Sequence, residues 1–425
     1  MKMIILASIL VLGLAAYSNE EPKSLSENNT IENHVSKNPE FKGVWSGKIS
    51  GSPLEMIITL SEKSGALSVP AQSITNLQAE SISYNNDSFT MKINFEGQNI
   101  EISGVLKDGV IEGLFSQNGI EAPITFATHE EDIAVNETYE RINIDVEGGA
   151  LIAALELPPK TPSAVAIIVA GSGGTDKNGN SVGMESNSYK MLAESLAAEG
   201  IATIRYDKRG IGENRGLVKD LNQITIDLFA SDVENIVKYA LQDERFSDVH
   251  IIGHSEGALL ATLAAQKQKV DSIILLAGVG RSMDEVLIEQ LSAQLPANLL
   301  EESKNILTSL KAGKIVESVS KELQPVFSIP NQPYLISWIK YNPVDELEKV
   351  NTKKYVVQGN TDIQVAETDW AELSKVATEA IMIEGMNHIL KESPAERAAN
   401  IATYNEPNLL LHKDIAPTIS RIIGN

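Results

Sequence analysis

Apolar and polar positions change rhythm along this chain, and each rhythm predicts a different kind of element. An unbroken apolar run, Met3 to Ala16, comes first. From Phe41 to about Thr128 the runs are short and alternating. Trp45-Ser46-Gly47-Lys48-Ile49 opens the series, and Leu54 to Leu60 and Phe89 to Phe95 follow. Ile100 to Leu106, Val110 to Phe115 and Ile124 to Phe126 complete it, with Gly, Asn, Asp and Ser between. Period-two alternation at this spacing predicts a small antiparallel all-β domain, a sandwich or an open barrel, over residues 41–130. Trp45 reads as a core plug, and no carboxylates, histidines or basic stripe converge there.

Beyond about residue 135 strands and helices alternate. Ile142 to Val146 and Leu151 to Leu157, joined through Glu147-Gly148-Gly149, predict a hairpin. Ala164 to Ala170 is apolar throughout, as a parallel strand buried on both faces requires. Helix Tyr189 to Ala198, ended by Gly200, leads to strand Ala202 to Tyr206 and helix Thr225 to Leu241. Strand Val249 to Ile252, helix Ser255 to Gln266 and strands Ser272 to Leu276, Lys354 to Gln358 and Ala380 to Ile383 continue the pattern. The expected fold is α/β, a mostly parallel sheet flanked by helices. Between about residues 281 and 347 strand signals vanish and helix formers dominate, which predicts an inserted helical cap.

Composition narrows the function classes. With 35 Lys+Arg against 57 Asp+Glu the formal charge is −22, which repels phosphate backbones and argues against nucleic-acid partners. The chain has no cysteine, so disulfides, thiolate metal sites and cysteine nucleophiles are excluded. Lys2 and the apolar run behind it have the form of a secretory signal over residues 1–18, too short for a spanning helix. Export to the periplasm, cell envelope or medium is expected, with membrane association only through an uncleaved N-terminus. Leu14-Ala15-Ala16 is similar to a lipoprotein box, but Tyr17 stands where the lipid-accepting cysteine would be. Residues 19–40 are too polar to bury a core and read as a linker.

Gly253-His254-Ser255-Glu256-Gly257 matches G-x-S-x-G between a strand and a helix. A nucleophile on so sharp a turn needs small neighbours, and a helix N-terminus favours developing negative charge. Serine also needs a base, and the base needs an acid to orient it. The chain order for this architecture is serine, acid, histidine. Asp362 follows the strand ending at Gln358, and His388 follows the strand ending at Ile383. Of the six histidines, only His388 satisfies both order and location. Glu384 is a rival acid, but the strand-end position favours Asp362. The oxyanion donors are expected at the N–H groups of Glu256 and of Ser172, in the loop Gly171-Ser172-Gly173-Gly174-Thr175-Asp176. That loop is not a dinucleotide-binding turn, because Asp176 replaces the last glycine of G-x-G-x-x-G. Tyr206 to Gly212 is expected to brace the site through ion pairs.

These segments resemble the α/β-hydrolase superfamily. The string Ala170 to Asn180, with Arg205-Tyr206-Asp207-Lys208-Arg209-Gly210 and the elbow, is similar to bacterial carboxylesterases that carry an N-terminal β domain. The resemblance implies a Ser255–Asp362–His388 triad acting on a small-molecule ester, without metal or organic cofactor. Ala170 departs from the histidine common before the oxyanion glycine. Aminopeptidases and thioesterases share such a triad, and Glu285, Glu289, Glu301 and Glu302 leave an amine-binding cap open. A non-catalytic envelope binding protein is the alternative of another class, and the complete set of catalytic residues argues against it.

Overall fold

The computed structural model describes residues 41–424 apart from 50–54, 62–63, 70–73, 86, 96–97, 118–119, 129–138, 182–183, 219–220 and 293. The expected signal, Tyr17, the expected linker and the expected join at Glu130-Glu131-Asp132 therefore lie outside the described residues. The chain divides between residues 136 and 137 into two compact units. No helix among the described residues is long and apolar enough to cross a membrane.

The first unit is one nine-stranded sheet, not a two-sheet sandwich. Its strands are β1 Gly43–Ile49, β2 Glu55–Leu60, β3 Gly65–Val69, β4 Ile74–Gln78, β5 Ser81–Asn85, β6 Ser88–Phe95, β7 Gln98–Lys107, β8 Val110–Gln117 and β9 Ile120–Thr128. They run in the order β4-β3-β2-β1-β9-β8-β7-β6-β5, with antiparallel neighbours. The sheet coils enough for β3 to face β6: a Cβ on Gly65 would lie 2.5 Å from Met91 Sδ. Phe41, Trp45, Phe89, Phe115 and Phe126 fill the concave side. Trp45 is buried and donates its indole N–H to the Phe41 carbonyl, so the polar end of the plug is satisfied. Strands β3 to β5 escaped the sequence reading because they are short and carry few large apolar residues.

The second unit is a mixed eight-stranded sheet. It comprises β10 Tyr139–Val146, β11 Gly149–Glu156, β12 Ala164–Val169, β13 Ala202–Tyr206, β14 Asp248–His254, β15 Ser272–Leu276, β16 Lys353–Gly359 and β17 Glu379–Ile383, in the order β10-β11-β13-β12-β14-β15-β16-β17. The β10–β11 hairpin turns at Glu147-Gly148, with Gly148 at φ 87°. All strands from β13 to β17 in that order pair in parallel. Along β12 the alternate residues Val165, Ile167 and Val169 enter one core and Ala166 and Ile168 the other, which explains its continuous apolarity.

Helices α1 Ser188–Ala198, α2 Ile226–Gln242, α3 Glu256–Lys267, α4 Met283–Ser292, α5 Ala297–Lys311, α6 Gln324–Phe327, α7 Gln332–Ile339, α8 Pro343–Glu348, α9 Glu367–Ser374, α10 Arg397–Ala402 and α11 Ile415–Ile423 surround the sheet. Leu192 and Leu196 of α1 and Ile419 of α11 pack on one face, and Val233 of α2 and Leu260 of α3 on the other. Thr225 caps α2, its hydroxyl accepting from Leu228 N–H at 3.1 Å. Helices α4 to α8 form the predicted insertion, and Leu287, Leu310, Phe327 and Trp338 join it to the α2/α3 core.

Candidate active site

The register of the parallel strands brings four loops to one edge of the sheet. Val169 of β12 lies beside Gly253, His254 beside Leu276, Leu276 beside Val357, and Gly359 beside Ile383. The loops that follow β12, β14, β16 and β17 therefore all leave the carboxyl edge, where open α/β sheets bind ligands.

Ser255 sits between β14 and α3 at φ 56°, ψ −118°. A β-carbon pays for that conformation, at about 1–3 kcal/mol, so the surroundings must impose it. They do so through the two flanking glycines. A Cβ on Gly253 would lie 2.2 Å from the Gly257 carbonyl oxygen, and one on Gly257 would lie 2.3 Å from that of Val169. Ser255 occupies the N-cap position of α3, yet its hydroxyl caps nothing. The side chain is thus lifted from the strand and left available, while the Ser255 N–H is anchored to Leu276 O at 2.9 Å.

The acid and the histidine meet. His388 Nδ1 lies 2.8 Å from Asp362 Oδ2, and both side chains are almost wholly buried. Asp362 Oδ1 accepts from the N–H groups of Gln364 and Val365 at 2.8 and 2.9 Å, which fixes the carboxylate. Glu384, the rival acid, is exposed and makes no such contact with His388. The two loops touch closely, since a Cβ on Gly359 would overlap the Met386 carbonyl oxygen at 1.8 Å.

His254 ties this pair to the elbow. Its Nε2 lies 2.7 Å from the His388 carbonyl oxygen and its Nδ1 2.7 Å from the Tyr189 hydroxyl. Burial, reinforced by the nearby His388, pushes His254 down to about 3, so the ring is neutral. A carbonyl can only accept, so Nε2 carries the proton and Nδ1 accepts from Tyr189 O–H. The Tyr189 oxygen accepts in turn from Gly171 N–H at 3.3 Å. One chain of hydrogen bonds therefore runs from the loop after β12 through the elbow to the loop carrying His388, and the two imidazole rings lie 4.8 Å apart. Nothing in the sequence pattern singled out Tyr189, which reads as one more apolar residue of α1.

The loop after β12 lies against Ser255: a Cβ on Gly171 would be 3.1 Å from Ser255 Cβ. The N–H groups of Ser172 and Glu256 donate to no other group among the described residues. The loop after β13 reaches the site through a buried ion pair, Lys208 with Glu256 at 2.6 Å, whereas its Arg209 pairs with Asp232 away from the elbow. In the cap, three of the acidic residues have partners of their own. Glu289 pairs with Arg281, Glu302 accepts from Ser320, and Glu301 lies 3.8 Å from Lys304. Glu285 shares α4 with Glu289, and Glu301 and Glu302 lie on α5.

An elbow serine, a strand-end acid and a histidine on one edge of a mostly parallel sheet define an α/β-hydrolase. Residues 180–384 match the family model described as serine aminopeptidase, S33. Esterase EstD of Thermotoga maritima is 27% identical over 338 residues, covering 75% of this chain and 76% of that protein. Among solved structures, Est1E from Butyrivibrio proteoclasticus is 17% identical with a TM-score of 0.42, covering 67% of this chain and 99% of its own. A thioesterase domain from the curacin biosynthetic pathway is 14% identical with a TM-score of 0.43, covering 68% and 99%. The fold is that of an α/β-hydrolase, and the sequence matches support a hydrolase of the carboxylesterase type.

Proposed function

We propose that this protein hydrolyses small carboxylic esters through a covalent acyl-enzyme on Ser255. The observation that carries the reading is the His388–Asp362 hydrogen bond beside the elbow. With Nδ1 held as a donor to the carboxylate, Nε2 of the neutral ring is the nitrogen available to take a proton. Ser255 Oγ attacks the acyl carbonyl as its proton passes to His388, and the carbonyl oxygen becomes an oxyanion held by the N–H groups of Ser172 and Glu256. Collapse breaks the ester C–O bond, and the proton leaves with the alcohol. Water then attacks the acyl-enzyme by the same route in reverse, releasing the acid and restoring Ser255.

The decisive experiment pairs a fluorophosphonate probe with Ser255→Ala. Wild type should label and turn over short acyl esters, and the variant should lose both, with kcat falling about 10⁴–10⁶-fold. Absence of labelling in wild type would overturn the reading. The family match to a serine aminopeptidase supports a second reading, amide hydrolysis on the same residues. Turnover of aminoacyl amides in preference to esters would establish it. The apolar run behind Lys2 supports export, which N-terminal sequencing of protein from a periplasmic fraction would test.

A further inference from the structure

Lys208 is buried, and its ammonium points under the oxyanion loop. It donates to the Gly171 carbonyl oxygen at 2.9 Å and to Glu256 Oε1 at 2.6 Å, and it lies 4.3 Å from the centre of the Phe229 ring. The two hydrogen-bonded partners are not arbitrary. Gly171 C=O and Ser172 N–H belong to one planar amide, so charge drawn toward the oxygen leaves the N–H more positive. Glu256 supplies the other oxyanion N–H from its own backbone.

Glu256 on its own is an unfavourable choice for that position. Its side chain is fully buried, and an unpaired carboxylate there would oppose negative charge developing on the substrate carbonyl. Lys208 neutralises it on one oxygen, and the Tyr334 hydroxyl of cap helix α7 donates to the other. Tyr334 is itself packed edge-on against Trp338 and Phe229. The other buried ion pairs nearby, Arg209 with Asp232 and Arg205 with Glu156, reach neither Gly171 nor the elbow.

We infer that Lys208 is a positioning and polarising residue for the oxyanion hole: it strengthens the Ser172 N–H through the Gly171 carbonyl and, through Glu256, clamps that loop to the elbow. The inference rests on Ser255 being the nucleophile. It adds a role for a side chain that does not touch the substrate.

The test compares wild type with Lys208→Met, the charge-neutral double variant Lys208→Met/Glu256→Gln, and Lys208→Arg. Asp232→Asn, which weakens a buried pair outside the hole, serves as the comparison for lost stability. Both Lys208→Met variants should lose about 10–100-fold in kcat on a short acyl ester, less than the loss of a whole oxyanion donor, with KM little changed. Affinity for a boronic acid, which binds as a tetrahedral anion, should fall in parallel, whereas that for a neutral substrate analogue should not. Lys208→Arg should restore part of the kcat. In protein labelled with ¹⁵N-serine, the Ser172 amide proton should move upfield in both Lys208→Met variants. An unmoved Ser172 resonance, or a kcat loss matched by Asp232→Asn at equal thermal stability, would overturn the inference. The resonance decides the polarisation even if fluorophosphonate labelling shows Ser255 to be unreactive, so the two failures are distinguishable.

Discussion

His254 Nε2 donates to the main-chain carbonyl of His388 across 2.7 Å, so the residue before the proposed nucleophile holds the backbone of the proposed base. The x of G-x-S-x-G is here a structural tie between two loops separated by more than a hundred residues in sequence. Its hydrogen bonds require a neutral ring.

That neutrality predicts a pH dependence of stability. Burial lowers His254 from 6.5 to about 3, and burial lowers His250 as well. Between pH 6.5 and 3 the unfolded chain therefore binds protons that the folded one does not. The stabilisation is complete above pH 6.5 and is lost as the pH falls through that window, by a few kcal/mol for His254. His254→Phe should flatten this part of the urea-stability profile. It also removes the tie to His388 and leaves Tyr189 O–H without its acceptor, so kcat should fall about tenfold or more.

Asp362→Asn and Glu384→Gln separate the two acids that sequence offered. Asn at 362 can present its amide NH₂ to Nδ1 and favour the wrong tautomer, as in other triads, so kcat should drop about 10⁴-fold. Glu384 is exposed, and its change should leave kcat within about twofold and stability within about 0.5 kcal/mol. Steady-state kinetics on both variants decides the assignment. Loss of activity in Glu384→Gln alone would reverse it.

Gly257→Ala should be among the most damaging single-methyl additions in the chain. The new Cβ would meet the carbonyl oxygens of Val169 and Ala170 at 2.3 and 2.7 Å, both backbone atoms that cannot rotate away. A loss of about 1–3 kcal/mol or more follows, together with displacement of Ser255. Equilibrium unfolding measures the first and fluorophosphonate labelling rate the second. Gly313→Ala makes a useful contrast on space alone, because nothing lies within 4 Å of a Cβ there, although its φ of 72° still costs backbone strain.

Tyr334→Phe removes the hydroxyl that reaches Glu256 from the cap. Leaving one oxygen of a buried carboxylate without its donor should cost about 1–3 kcal/mol. Burial holds the Tyr334 hydroxyl well above its usual range, so it remains a donor at every working pH and the effect should not titrate. Thermal melts across neutral and alkaline pH check this. A cost confined to high pH would contradict it.

Much of the α/β unit was legible because its elements carry strong local signals. The apolar stretch at β12, the periodicity of α2 and the glycines around Ser255 each report a local requirement. His388 was reachable by order and strand-end position. The choice between Asp362 and Glu384 rested on a weaker positional argument, and the carboxylate's contact with His388 is a tertiary fact. In the first unit, the alternation located six of the nine strands. It could not choose between two sheets and one, since inward-facing residues alternate in the same way in either.

The sequence alone determined a strand–serine–helix elbow, an acid and a histidine at later strand ends, and the absence of any thiol chemistry. These follow from residue type, spacing and local backbone demands. Only the tertiary structure decided that His254 links two loops, that Tyr334 of the cap completes Glu256, and that Lys208 lies beneath Gly171. Those pairings come from elements far apart in sequence, and a hydrogen bond at 2.6–2.9 Å depends on how the strands register and the helices pack. No local pattern encodes that distance.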